Sequence, residues 1–162
     1  MSKLTTQDKI KKMQTNIKSA QSIFALSGIL AIVYVVRYFV TGNFNFYFSS
    51  YITEFALKSA DENIASAVTL SSGASYAVLA VYAVLFLLCC VLCLKSKFGL
   101  WACLGLHLTD YAALIVGTAL SVFGPFREEI LIDVIVHFFV LLFIVVGIYA
   151  TYKLPVLEKE TE

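Results

Sequence analysis

The chain has 162 residues, of which 60% are hydrophobic and only 14% charged, with a net charge of +1 and a mean hydropathy of +0.86. A soluble domain carries far more charge, about a quarter of its residues, so water is not the medium that covers this much apolar surface. The near-neutral balance excludes a nucleic-acid partner recruited by bulk charge, and two prolines with eight glycines favour long uninterrupted helices over β architecture.

Residues 1–20 hold Lys3, Lys9, Lys11, Lys12 and Lys18 against one acid, Asp8. Ile10, Met13 and Ile17 recur at helical spacing with lysines on the other faces, and Thr6 is placed to cap the segment. The expectation is a separate short amphipathic helix, lying on an anionic inner leaflet or simply leading into the bilayer with a positive label.

A hydrocarbon core of ~30 Å takes about 20 apolar residues in helical form, and backbone amides in lipid must be satisfied within the segment. The first such stretch covers about 22–40, with no small-residue cleavage site after it, so it is expected to be a retained span. The loop 41–74 opens "GNFNFYFSSY", where Phe44, Phe46, Tyr47, Phe48 and Tyr51 crowd together. Such rings suit an aromatic belt at the headgroups or a docking surface for a partner. A short helix from about Ser50 to Ala60 is expected along the outer surface. Asp61, Glu62 and Asn63 read as the start of the next helix, projecting outward from the membrane.

Three further spans follow, at about 75–94, 98–122 and 130–152. The link "KSK" supplies Lys95 and Lys97, the link "GPFREE" supplies Arg127 beside Glu128 and Glu129, and the tail carries Lys153 and Lys159 among Glu158, Glu160 and Glu162. Lysines collect at the N-terminus, the second link and the C-terminus, which the positive-inside rule assigns to the cytoplasm. The fold class expected is therefore all-α: an integral membrane protein built as one domain, a four-transmembrane-helix antiparallel bundle, N-in and C-in, most simply in the plasma membrane. Small residues mark its packing faces: Ser27, Gly28 and Ala31; Ala74, Ala77, Ala80 and Ala83; Gly105, Ala112, Ala113 and Gly117; Gly147 and Ala150. Short links make spans two and three, and three and four, antiparallel neighbours.

Against this apolar background the stretch "GLHLTDYAAL" stands out. His107 and Asp110 share a helix face with Cys103 and Gly117, and Tyr111 lies alongside. Span four offers a similar face of Asp133, His137, Val140 and Ile144. Span one offers Arg37 between Tyr34 and Tyr38, and span two Tyr76 and Tyr82. An ionisable group facing lipid at mid-depth costs about 2.5–3.5 kcal/mol on insertion scales, so these groups are expected to turn inward. Depth counting arranges Arg37, Asp133, His137, Asp110 and His107 as a polar track from the outer surface to mid-membrane. One use is an outward-open ligand pocket or proton-linked path; the other is an internal clamp of hydrogen bonds between helices. No cofactor is expected. A haem between the two histidines is disfavoured because depth counting separates them by ~8 Å, and zinc at His107, Asp110 and His137 lacks local ligand spacing.

All four cysteines lie in spans. Cys90 and Cys93 form a C-x-x-C beside Cys89, with Cys103 on the next helix. Their position on the reducing side and the lack of external cysteines favour apolar packing over thiol redox chemistry; palmitoylation near the inner interface is a third use in a eukaryotic host. No nucleotide loop, nucleophile elbow or metalloprotease helix occurs. Three functions remain: a non-enzymatic subunit or partner-binding accessory of a membrane assembly, a homo-oligomeric or lone transporter or channel protomer, and a membrane thiol oxidoreductase. The first is the leading expectation, with the lipid bilayer and a protein partner or further copies of the chain as its surroundings.

Overall fold

The structure, a computed structural model, describes residues 5–42, 50–60, 69–96, 98–120, 122–123 and 128–160, with the backbone alone at 128–130 and 133. Five helices make up these residues: α1 (Thr6–Thr41), α2 (Tyr51–Ser59), α3 (Ser72–Lys95), α4 (Gly99–Ala119) and α5 (Glu128–Lys159). The segments Thr6–Thr41, Ser72–Lys95, Gly99–Ala119 and Val134–Lys159 are long and apolar enough to cross a membrane. Leu26, Ile29, Val36, Leu87, Ile115 and Phe138 are among the large apolar side chains on the outside, as expected where lipid rather than water covers the surface.

The amphipathic N-terminal segment is not a separate helix. It runs without a break into the first span, giving α1 36 residues and a length of about 54 Å, well beyond a ~30 Å hydrocarbon core. Nothing in its sequence stops a helix: no Gly or Pro intervenes, and the change from lysine-rich to apolar alters the medium without altering the backbone preference. The cap is Thr5, one residue earlier than expected. Its side chain accepts from the Asp8 amide at 3.2 Å, and the Asp8 carboxylate accepts from the Thr5 amide at 3.2 Å and the Thr5 hydroxyl at 2.7 Å, a capping box. Those bonds, the hydroxyl's first, hold the Asp8 carboxyl below the usual carboxylate range. At the other end Gly42 takes a left-handed φ of 65° and returns its amide to the Tyr38 carbonyl at 2.8 Å, a conformation that suits a residue without Cβ.

The contacts pair successive spans in opposite senses. Along α1 and α3, Gln21 Nε2 donates to the Cys93 carbonyl at 2.7 Å, Phe24 stacks on Phe86 at 4.7 Å and Phe39 meets Tyr76 at 5.9 Å. Between α4 and α5, Trp101 Nε1 donates to Tyr152 Oη at 3.2 Å. The most extensive helix pairing is α1 with α5, and α3 with α4 comes next, whereas α4 and α5 touch over a shorter stretch. A short link thus made α3 and α4 close partners, but α5 leans mainly on α1. Ile17 of α1 borders the same groove as Thr151, Leu154 and Pro155 of α5, so the half-buried end of the Ile10–Met13–Ile17 stripe faces a helix.

Small residues act at specific crossings. Gly147 lies against Ala20, Gly28 against the ring of Phe86, Gly117 against Phe123, and Gly99 against the backbone of Leu92 and Cys93. Ala31 and Ala150 are buried as well. The alanine strip on α3 behaves otherwise: Ala74, Ala77, Ala80 and Ala83 are all exposed. A spacing of three turns by 60° less than a full circle each time, so such a strip winds around a helix rather than following one face. Gly105 also meets open space.

The second correction concerns α2. It forms at the expected position, but it is not laid on the outside. Tyr51, Thr53, Ala56, Leu57 and Ser59 are buried, and α2 packs on α3 and α4. Ser75 Oγ near the start of α3 donates to the Ala56 carbonyl at 2.7 Å, and the Leu70 amide donates to the Ser59 carbonyl at 2.7 Å. The helix start expected at 61–63 lies outside the described residues; residues 69–71 are not helical, and α3 begins at Ser72 with Ser71 as its cap.

Replacing Gly99 by Ala drives a Cβ into the backbone of α3, and the structure is expected to lose about 1–3 kcal/mol. Gly105→Ala, which fills open space on a helix, is expected to be neutral or to gain up to about 1 kcal/mol. Thermal or denaturant unfolding of both variants in detergent checks the contrast.

Candidate functional site

Residues His107 and Asp110 lie near the middle of α4, on the face that also buries Leu100, Cys103 and Gly117. His137 faces them from α5, on the face that buries Val140, Ile144 and Gly147. Those two faces are the ones their sequence periodicity suggested. The third contributor was not foreseen: the N-terminus of α2 reaches the same point.

Asp110 accepts three hydrogen bonds. Ser50 Oγ donates to Oδ1 at 2.6 Å, the Ile52 amide donates to Oδ1 at 3.0 Å, and His137 Nε2 lies 3.1 Å from Oδ2. Ser50 is the cap of α2, and its oxygen also faces the Thr53 amide at 3.4 Å. Ile52 is the second residue of that helix, so its amide is one of the donors that no intrahelical carbonyl can satisfy. The positive end of the helix dipole points at the carboxylate. Burial of a carboxylate is strongly unfavourable unless its charge is paired and hydrogen-bonded. Here Asp110 is 2% exposed, and each charge-assisted bond contributes about 1.5–3 kcal/mol.

His107 completes the arrangement. Its Nε2 is 2.9 Å from the backbone oxygen of His137. A carbonyl oxygen only accepts, so that nitrogen carries the proton. The His107 and His137 rings stack with centroids 5.5 Å apart and planes 14° from parallel, and Tyr51 stacks on the other imidazole, His137, at 4.5 Å. Tyr111 meets both histidines edge-on, at 5.5 and 6.0 Å, and its hydroxyl donates to the Val134 carbonyl at 3.4 Å. Tyr51, expected in an interfacial belt, is instead 2% exposed inside this stack.

The structure therefore unites His107, Asp110, Tyr111 and His137. Arg37 is half-buried near the end of α1 and does not line the cavity described next; the side chain of Asp133 lies outside the described residues. The depth count that separated the histidines by ~8 Å fails, because antiparallel helices of unequal overhang do not share an origin for counting. Stacked imidazoles, one tied to a carbonyl and the other to a carboxylate, do not present their nitrogens to one iron from opposite sides. Among the described residues no three His, Cys, Asp or Glu side chains converge around a single metal position.

A cavity of about 340 Å³ borders the cluster. Its polar end is formed by Ser50, Tyr82, His107, Asp110 and His137, and its body by apolar side chains of α1, α3, α4 and α5. The Tyr82 hydroxyl neighbours Ser50 and Asp110. The thiols of Cys89, Cys90, Cys93 and Cys103 are free; Cys103 Sγ donates to the Cys89 carbonyl at 3.7 Å, and Cys93 and Cys103 are in side-chain contact. They sit in the core layer with Phe24, Phe86 and Leu100, below the histidines.

The sequence signal for the missing contributor was modest but present. A carboxylate at mid-span needs more donors than a histidine or two, and Ser50-Tyr51-Ile52-Thr53 places a capping residue before amides of a first helical turn, which no intrahelical carbonyl can satisfy. Neither protein-family models, curated proteins nor solved structures yield a match to this chain.

Asp110→Leu removes the acceptor of Ser50 and Ile52, and amide exchange across residues 51–59 is expected to accelerate roughly 10- to 100-fold, the equivalent of one or two charge-assisted bonds. Asp110→Asn keeps an oxygen for Ser50 and Ile52 but turns a donor toward His137, so a smaller acceleration is expected. Hydrogen exchange with mass analysis of the detergent-purified chain measures both.

Proposed function

We propose that the chain is a small non-enzymatic membrane protein, a four-span antiparallel bundle with both termini on the cytoplasmic side of the plasma membrane, serving as a subunit or partner-binding accessory of a larger assembly. The lysines of the N-terminal part of α1 and those at and just after the end of α3 support that orientation, as does the opposite sense of neighbouring helices. The observation that carries the functional reading is the engagement of Asp110 by three donors of its own chain. A carboxylate so engaged is a clamp on α2 before it is a reactive group. Partner contact then falls to the long exposed apolar faces and to the overhanging ends of α1 and α5, where Lys9, Lys11, Lys12, Lys153 and Glu158 lie at the surface.

The second reading is a transporter or channel protomer with a proton-linked or ligand path through His107, Asp110 and His137. The cavity that borders all three groups favours it. A thiol oxidoreductase has less support, since three of the four thiols are buried.

Purification from native membranes in a mild detergent, followed by intact-mass analysis, separates the readings. The accessory role expects a larger membrane protein at fixed stoichiometry, retained by Asp110→Asn. A chain that purifies alone, and that carries a proton flux into vesicles abolished by Asp110→Asn, overturns it in favour of the path.

A further inference from the structure

The polar end of the cavity is not fully used by the protein. A carboxylate offers about four lone-pair positions, and Asp110 fills three of them. His107 donates through Nε2, so in the neutral ring Nδ1 is an acceptor. That nitrogen makes no hydrogen bond among the described residues, although His107 is only 6% exposed. His107 lines the cavity. Tyr82, also on the wall, is hydrogen-bonded to Ser50, whose own proton goes to Asp110, so the Tyr82 proton is already committed. The unused capacity is thus two acceptors at one end of an apolar chamber, one on Asp110 and one on His107. On its other side the chamber opens between Leu26, Phe139 and Phe143, which are exposed on the flank of α1 and α5.

We infer that this cavity is a binding site for a neutral lipid-soluble alcohol, its hydroxyl donating to His107 Nδ1 beside Tyr82, and its hydrocarbon body lying between α1 and α5. The volume falls within the range of about 300–1,000 Å³ usual for small-molecule sites, which are mostly apolar with a few convergent polar groups. The head-group chemistry follows from what each alternative lacks. A fatty acid brings a second carboxylate beside Asp110, and like charges at such range are repelled. An ether or ester brings no proton for the two acceptors, and unmet buried acceptors disfavour it. An ammonium head matches the acceptors but must leave water entirely, at a cost a neutral hydroxyl avoids. The site does not depend on whether the chain is an accessory or a transporter; either assembly would hold the alcohol at the clamp of α2.

The test uses the full chain in lipid nanodiscs and a tetradecanol carrying a photoactivatable diazirine on its tail. Crosslinks are expected on α1 and α5 around Leu26, Leu30, Phe139 and Phe143, and unlabelled tetradecanol is expected to compete. Methyl tetradecyl ether, myristic acid and tetradecylamine are expected to compete at least tenfold less well. His107→Gln keeps an amide nitrogen for the His137 carbonyl and removes the Nδ1 acceptor, so labelling should fall roughly tenfold, the worth of one buried hydrogen bond left unmade. Leu30→Phe fills the chamber without touching the polar end and should also suppress labelling. Unfolding temperatures of both variants are measured alongside, and labelling is compared only between folded preparations. Equal competition by the ether, stronger competition by the amine or the acid, crosslinks spread over every lipid-facing helix, or unchanged labelling of folded His107→Gln and Leu30→Phe would each overturn the assignment.

Discussion

The pair of bonds from the Ser50 hydroxyl and the Ile52 amide of α2 to Asp110 is the constraint on which the rest of the structure turns. Two features that lipid would reject are placed against one another. A carboxylate at mid-span has no water to solvate it, and a helix that starts at the same depth has amides with no carbonyl to take them. Each supplies what the other lacks, and the helix dipole adds attraction of the right sign. His137 then fills Oδ2, and His107 fastens α4 to the α5 backbone. A nine-residue helix spans about 13 Å, close to half the hydrocarbon thickness, so α2 bridges from the level of Asp110 to the end of the bundle where α3 begins at Ser72.

This inserted helix also accounts for the uneven packing of the long ones. By packing on both α3 and α4, α2 adds a fifth body to one end of the bundle, while its leading Tyr51 reaches His137 on α5. The long helices meet closely toward the opposite end. There Gly147 admits Ala20, Gly99 admits the α3 backbone, and Gln21 crosses to the Cys93 carbonyl. Without a hydrophobic drive between helices in lipid, such close approaches and interhelical hydrogen bonds are what favour association. The chamber beside the cluster lies between the tight end and the end spread by α2, where Phe24 and Phe86 stack over the space left by Gly28.

What could be read from the sequence was what local periodicity encodes. Four apolar segments, the inward faces of α4 and α5, the short helix near 51–59 and the partnership of His107, Asp110 and His137 all follow from spacing and from the cost of exposing charge to lipid. The destination of α2 does not. Ser50 meets Asp110 across a separation of 60 residues, and nothing within nine residues states which far surface will receive them. Its aromatic content was equally suited to a headgroup belt, and only the depth of its N-terminus distinguishes the two. The alanines of α3 misled for a geometric reason, since a three-residue repeat drifts around the helix. The unbroken α1 misled because charge patterning marks where the medium changes, and a helix has no need to stop there.

A clamp and a binding site are often treated as rival explanations for charged groups inside a membrane. In this cluster they are different atoms of the same residues. Asp110 Oδ1, the Ser50 hydroxyl, the Ile52 amide and His107 Nε2 are committed to holding helices in register, and a change at any of them is first a change in fold. His107 Nδ1 makes no hydrogen bond among the described residues, so it can meet a ligand without loosening α2, whereas the Tyr82 hydroxyl is hydrogen-bonded to Ser50 and belongs to the clamp. The clamp makes that possible by fixing the His107 tautomer: because Nε2 must give its proton to a carbonyl, the face turned to the chamber is left as an acceptor. A ligand there can shift the position of α2 only to the extent that it binds one arrangement better than another, and with Nε2 and the Asp110 bonds already made, the seated arrangement is the one that presents Nδ1 correctly. Occupation of the chamber therefore reinforces the clamp rather than competing with it.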